Sequence, residues 1–79
     1  MDIKYDKVAD AVYVNVSSKK VAKTIEMSNR LNVDVDTAGN IVGIEILDAS
    51  NQEQLVANLQ DNLASGVPIE IISSTPQIA

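Results

Sequence analysis

Apolar and polar residues alternate one by one through most of the first fifty positions of this 79-residue chain. The clearest case is residues 31–36, where Leu, Val and Val alternate with Asn, Asp and Asp. Successive side chains of a β-strand point to opposite faces of the sheet, so a period of two collects the apolar residues on one face. The pattern therefore predicts a sheet that buries one face, and it argues against helices in this part of the chain.

Polar turns divide the alternating region into about five strands. The first begins near Ile3, and the others are predicted at 11–16, 21–27, 31–36 and 41–47. The strand at 41–47 carries apolar residues on both faces, which is typical of the middle of a sheet.

Two turns contain residues that suit them. Asp6 is placed to accept backbone N–H groups of the turn formed by residues 7–10. Between the last two strands, Gly39 or Asn40 can take a positive φ.

After residue 50 the apolar period becomes helical. Ser50 and Glu53 have the spacing of a capping box, while Gly66 and Pro68 are suited to end a helix. The pattern predicts a helix from about 51 to 64, with its apolar stripe formed by Leu55, Val56, Leu59 and Leu63.

The predicted fold class is α+β. We expect a small antiparallel β-meander sheet of about five strands, followed by one C-terminal helix packed on the sheet, with a short final strand at 68–72. A single domain is predicted over residues 1–72, and residues 73–79 are predicted to form a flexible tail.

The composition removes most catalytic chemistry, because the chain has no Cys, His, Trp or Phe and only two Tyr. Zinc fingers, haem ligation, thiolate nucleophiles and Ser–His or Cys–His pairs are excluded. We therefore predict a protein that is not an enzyme, with no catalytic, cofactor-binding or metal-binding residues and no cofactor. A chain this small, with no disulfide or zinc to reinforce it, is expected to self-associate, most simply as a homodimer.

The net charge of −5 argues against nucleic acid as the primary ligand. Charge is also unevenly placed, since residues 1–30 carry +2 and residues 31–79 carry −7. This division suits a basic protein partner. No apolar run is long enough for a membrane span and no leader pattern is present, so the expected location is the cytoplasm, with no membrane partner.

A calcium loop is one alternative, because five residues match positions 1, 3, 6, 8 and 12 of the EF-hand spacing: Asp34, Asp36, Gly39, Ile41 and Glu45. Position 5 is Ala38, which has no side-chain oxygen, and the flanks alternate like strands rather than helices. A polar outer face with a turn glycine is the favoured explanation, and a weak cation site stays open.

A second alternative is an acidic site built from Asp6, Asp10, Asp34 and Asp36 with a tyrosine. The sequence gives no reason for the two pairs of acids to converge, so turn capping and solvent exposure are favoured. For Tyr5 and Tyr13, cross-strand packing is favoured over stacking of a ligand or anchoring of a partner.

Several segments together carry a family resemblance: YD at 5–6, ADAVYV at 9–14, VAKTIE at 21–26, NVDVD at 32–36 and GNIVGIEIL at 39–47. Over about residues 3–50 the chain resembles a small bacterial family catalogued as domain of unknown function 2283. The resemblance implies a short β-rich domain with no established activity or catalytic residues. Members sometimes occur beside a small toxin-like protein, which implies an antitoxin-like or partner-binding role.

The leading functional hypothesis is a non-enzymatic protein–protein interaction module that binds through its sheet edge, its tyrosine face or its acidic C-terminal half. It would serve as an antitoxin-like partner of a small basic protein. The alternative is a small metal-binding or ligand-binding protein that uses the carboxylates of Asp34, Asp36 and Glu45.

Overall fold

A computed structural model describes residues 1–62 and 69–72 of the chain. Six strands, one turn of 3-10 helix and one α-helix make up this part of the fold. Their bounds are β1 Asp2–Asp6, β2 Ala11–Asn15, β3 Lys23–Ser28, β4 Leu31–Val35, β5 Ile41–Leu47, the 3-10 turn Ala49–Asn51, α1 Glu53–Asn62 and β6 Ile69–Ile72.

The six strands form one sheet in the order β3-β4-β5-β2-β1-β6. Strands β1 to β5 are antiparallel to their neighbours, whereas β6 lies parallel to β1. The α+β class, with five antiparallel strands and a C-terminal helix, is confirmed. The interior position expected for β5 and the expected final strand are also found.

The strand order differs from that of a simple meander, because β2 pairs with β5 rather than with β3. Residues 16–22 carry the chain from the centre of the sheet to its edge. The apolar content of the strands explains this arrangement. Among β1 to β5, the strands β2 and β5 are the most buried and share the centre, whereas every residue of β3 is exposed at the edge.

The core lies between the helix and one face of the central strands. Its buried cluster takes residues from β1, β2, β5 and the 3-10 turn, and Leu55, Val56 and Leu59 of α1 pack against it. The buried members are Ile3, Val12, Val14, Ile44, Ile46 and Ala49. The helix therefore covers one face of β1, β2 and β5, and it does not cover the other face of these strands.

The helix begins later than expected, and the predicted capping box is wrong. A 3-10 turn precedes α1, and the first α-helical bond runs from the Val56 N–H to the Gln52 carbonyl at 3.0 Å. Ser50 does not cap the helix, because its hydroxyl donates to Asp10 instead. The predicted helix end at Leu63, Gly66 and Pro68, and the predicted tail at 73–79, lie outside the described residues.

No helix within the described ranges is both long enough and apolar enough to cross a membrane.

Candidate functional site

The face of the sheet opposite the helix is polar, and it is called the open face below. Side chains alternate between the two faces along each strand, so the residues that flank the buried ones in sequence point to this face. The strand register aligns them in cross-strand rows. Two polar rows are Lys4, Tyr13, Glu45, Asn32 and Glu26, and Asp2, Asn15, Gly43, Asp34 and Thr24, while a third row contains Asp6 with the apolar Ala11 and Leu47.

Tyr13 lies at the centre of the open face, with its ring over Gly43. A Cβ atom on Gly43 would stand only 1.9 Å from the Tyr13 hydroxyl oxygen, so glycine is needed to leave room for the ring. The Tyr13 hydroxyl donates to Asp34 Oδ2 at 2.9 Å, and the Thr24 hydroxyl donates to Asp34 Oδ1 at 2.6 Å. Three strands are thus joined through one carboxylate.

Two acids of the open face, Asp34 and Glu45, are partly exposed and form no ion pair with a described residue. Glu45 accepts a hydrogen bond from the Asn32 amide at 3.2 Å, next to the Tyr13–Asp34 pair. Within the described part of the chain, neither Asp34 nor Glu45 forms an ion pair, and Lys4, which lies opposite Tyr13, is 3.9 Å from Asp2. The two carboxylates beside Tyr13 are therefore not paired with a described cation.

The surroundings keep Tyr13 protonated. Burial of the ring, the hydrogen bond to Asp34 and the negative charges of Asp34 and Glu45 raise the pKa of Tyr13 to about 12. The hydroxyl is consequently a neutral donor at physiological pH. An efficient general acid or base has a pKa near the working pH, and the pKa of Tyr13 lies well above that range.

A second polar cluster fastens the β1–β2 turn to the start of the helical segment. Asp10, which has a left-handed φ of 50°, accepts from the Tyr5 hydroxyl at 2.8 Å. It also accepts from the Ser50 N–H at 3.1 Å and from the Ser50 hydroxyl at 2.7 Å. Residues forty positions apart are thereby tied together by a single carboxylate.

These hydrogen bonds make Asp10 more acidic and Tyr5 less acidic. Donation from Ser50 and Tyr5 holds the pKa of Asp10 below its ordinary value, and the bond to Asp10 raises the pKa of Tyr5. A carboxyl with a lowered folded-state pKa stabilises the fold above its unfolded pKa, near 3.8. That contribution is lost as the pH falls through the folded pKa.

Replacing Asp10 with asparagine, which tolerates the left-handed φ, is expected to lower the free energy of unfolding at neutral pH. The difference from the unaltered chain should shrink as the pH falls from 3.8 through the lower folded-state pKa, because the carboxyl is then protonated in both states. Urea unfolding across this pH range measures the effect. Ser50→Ala and the double variant complete a cycle, and strict additivity of the two changes would contradict the contact.

Asp6 and Asp36 are turn residues. As expected, Asp6 Oδ1 accepts from the Val8 and Ala9 N–H groups, at 2.9 and 3.1 Å. Asp36 Oδ1 accepts from the N–H groups of Ala38 and Asn40, both at 2.9 Å, and these bonds lower the pKa of Asp36. The expected positive φ is found at Gly39, at 86°.

The residues of the calcium alternative lie in a β4–β5 hairpin, where Asp34, Asp36 and Glu45 are engaged by separate donors. Among residues 1–62 and 69–72, no three acidic side chains are grouped closely enough to hold a metal ion. The second alternative, an acidic site built from four aspartates, is not assembled either. Asp6 and Asp10 lie at the β1–β2 turn, whereas Asp34 is in β4 and Asp36 is in the β4–β5 turn. Asp10 bonds to Ser50 instead of capping its own turn.

The expected cross-strand pairing of Tyr5 with Tyr13 is wrong. Tyr5 is opposite Val12, and Tyr13 is opposite Lys4, so the register places the two rings on opposite faces of the sheet. Tyr5 packs against the core cluster, and Tyr13 lies on the open face. Each hydroxyl is bound to a different aspartate, Asp10 or Asp34.

Sequence comparison places the sheet in a known family. A family model described as "Protein of unknown function (DUF2283)" matches residues 2–50, which is more than half of the chain. The chain belongs to this family. The resemblance expected from the sequence is confirmed, and the DUF2283 match covers β1 to β5 with both polar clusters, ending at Ser50. No curated protein and no solved structure matches the chain.

Proposed function

We propose that this DUF2283 chain is a non-enzymatic protein–protein interaction module that acts in the cytoplasm and binds a small basic protein on its open face. One observation carries the proposal: Asp34 and Glu45 stand beside Tyr13 on this face, and neither carboxylate forms an ion pair with a described residue. Because they project from the central and neighbouring strands of one sheet, their positions are fixed before a partner arrives.

The properties of Tyr13 favour binding over chemistry. A tyrosine ring offers a large contact area at low entropic cost, and tyrosine is enriched at protein interfaces. Here the ring is held by Gly43 beneath it and by Asp34 at its tip. With a pKa of about 12, its hydroxyl also stays a donor under all physiological conditions.

The acids define the chemistry of the partner. Each carboxylate still has acceptor positions free for an arginine or lysine, because a carboxylate can accept about four hydrogen bonds. The charge of −7 on residues 31–79 would also steer a basic protein toward the molecule before contact. An antitoxin-like role toward a small basic partner is consistent with this chemistry.

The test uses three tagged versions of the chain, each with a known net charge, as baits in a native lysate. The first is the unaltered chain, and the second carries Asp34→Asn and Glu45→Gln, which keep the hydrogen-bonding shape but remove two charges. The third is a control with Glu53→Gln and Asp61→Asn, two exposed acids of α1. Because both variants change the net charge equally, a non-specific effect of charge acts on both.

We expect a basic protein to be captured by the unaltered bait and the helix control, and to be lost with the open-face variant. Calorimetry with the purified partner should then show a Kd raised at least about tenfold by the open-face changes and little altered by the control. Equal affinity of all three chains would contradict the proposal, as would capture of no protein by the unaltered bait.

A further inference from the structure

The edge of the sheet at β3 is exposed along the whole strand. All six residues of β3 are exposed, and large apolar side chains are among them. Ile25 is 37% exposed and Met27 61%, and Val21, just before the strand, is 41% exposed. Residues 21–28 are called the β3 edge below.

The helix does not reach this edge. The cluster against which Leu55, Val56 and Leu59 pack contains no residue of β3. A ten-residue helix is about 15 Å long and about 10 Å across, whereas a six-stranded sheet is about 24 Å wide. One such helix cannot cover all six strands.

We propose that the β3 edge is a dimer interface that binds the β3 edge of a second copy of this chain. The two strands pair antiparallel about a two-fold axis at Thr24. Two six-stranded sheets then join into one continuous sheet, with both helices on the same side. Such pairing of exposed edges is a common mode of protein association, in which backbone hydrogen bonds supply affinity and side chains set the register.

Side-chain complementarity favours Thr24 over the other three central residues, 23, 25 and 26, as the position of the axis. With the axis at Thr24, Val21 faces Met27 of the second copy, and no like charges are opposite each other. Centring on Lys23 or Glu26 would bring two identical charges face to face. Centring on Ile25 would oppose Lys20 with Arg30, two cations.

The first test measures the oligomeric state by sedimentation equilibrium over a concentration series. We expect the unaltered chain to dimerise and Met27→Lys to raise the dimer dissociation constant at least about tenfold. Val8→Lys is the matched control, because Val8 is 62% exposed in the β1–β2 turn and should leave the constant unchanged. A monomer at every concentration, or equal weakening by both variants, would overturn the proposal.

The second test reads the register. The chain has no cysteine, so a single Thr24→Cys substitution can form a disulfide only with its counterpart in another copy. Facing residues of antiparallel strands have Cα atoms about 4.5–5.5 Å apart, which is within disulfide reach. Under mild oxidation we expect Thr24→Cys to cross-link faster than Ile25→Cys or Val8→Cys. Fastest cross-linking at either other position would contradict the Thr24 axis.

The outcomes are independent of the open-face proposal. Met27 and Val8 are not residues of the open face, so a monomeric result leaves the binding of a basic partner untouched.

Discussion

Replacing Ile46 with alanine is expected to lower the free energy of unfolding by about 3–4 kcal/mol. Ile46 is completely buried near the C-terminal end of β5, where it pairs with Val12 on one side and Leu31 on the other. The change deletes apolar atoms and leaves a cavity that the rigid central strands cannot close. A domain of this size has a total stability of only about 4–12 kcal/mol, so the loss is a large fraction of it.

Urea unfolding followed by circular dichroism measures this loss. Ile41→Ala in the same strand is the control, because Ile41 is 47% exposed and its truncation should cost under about 1 kcal/mol. The slope of the unfolding free energy against urea concentration should stay the same for both variants, because neither appreciably alters the surface exposed on unfolding. Equal losses at the two positions would contradict the central position of Ile46 in the core.

Replacing Gly43 with alanine is expected to displace Tyr13 and to lower the free energy of unfolding by about 1–3 kcal/mol. The added Cβ would lie 1.9 Å from the Tyr13 oxygen and 2.4 Å from the ring carbon that bears it. The strand backbone is held on both sides, so the ring is the part that moves. Its hydrogen bond to Asp34 is then lost.

Absorbance of tyrosinate gives a direct measurement in a Tyr5→Phe background, where Tyr13 is the one remaining tyrosine. We expect its titration midpoint near 12 in the parent and closer to the ordinary value of 10 in Gly43→Ala. Asn15→Ala, on the same face, should leave the midpoint unchanged. An unchanged midpoint in Gly43→Ala would show that the ring does not lie over Gly43.

The free energy of unfolding should change with pH over the same range as the titration of Tyr13. The folded state raises the pKa of Tyr13, so it favours the neutral phenol over the tyrosinate. The stabilisation is therefore complete below pH 10 and is lost as the pH rises toward 12. Gly43→Ala should show a smaller loss across this range, because little of the pKa shift remains.

The local elements of this fold can be read from the sequence, whereas the strand order cannot. Alternation reports which residues share a face, and it places the strands and the interior position of β5 correctly. It carries no information on which strand pairs with which over a long loop. The choice of β2 over β3 as the neighbour of β5 depends on the relative burial of whole strands.

In the candidate site too, local features can be read from the sequence and long-range contacts cannot. Capping by Asp6 and the turn at Gly39 are local, and both follow from residue type. The bond between Asp10 and Ser50 joins residues forty positions apart, so no spacing rule detects it. The position of Tyr13 has one sequence signal, because Gly43 is an isolated glycine within a strongly apolar strand, which is typical of a close approach.

The strand order also has a consequence for the time course of folding. Strands β3, β4 and β5 follow one another in the chain and in the sheet, so their hairpins close short loops and can form within microseconds. The pairing of β6 with β1 joins Ile3 to Ile69 and closes nearly the entire chain. The entropy cost of closure grows with loop length. We therefore expect the hairpins of β3, β4 and β5 to form first and the parallel strand β6 to dock last.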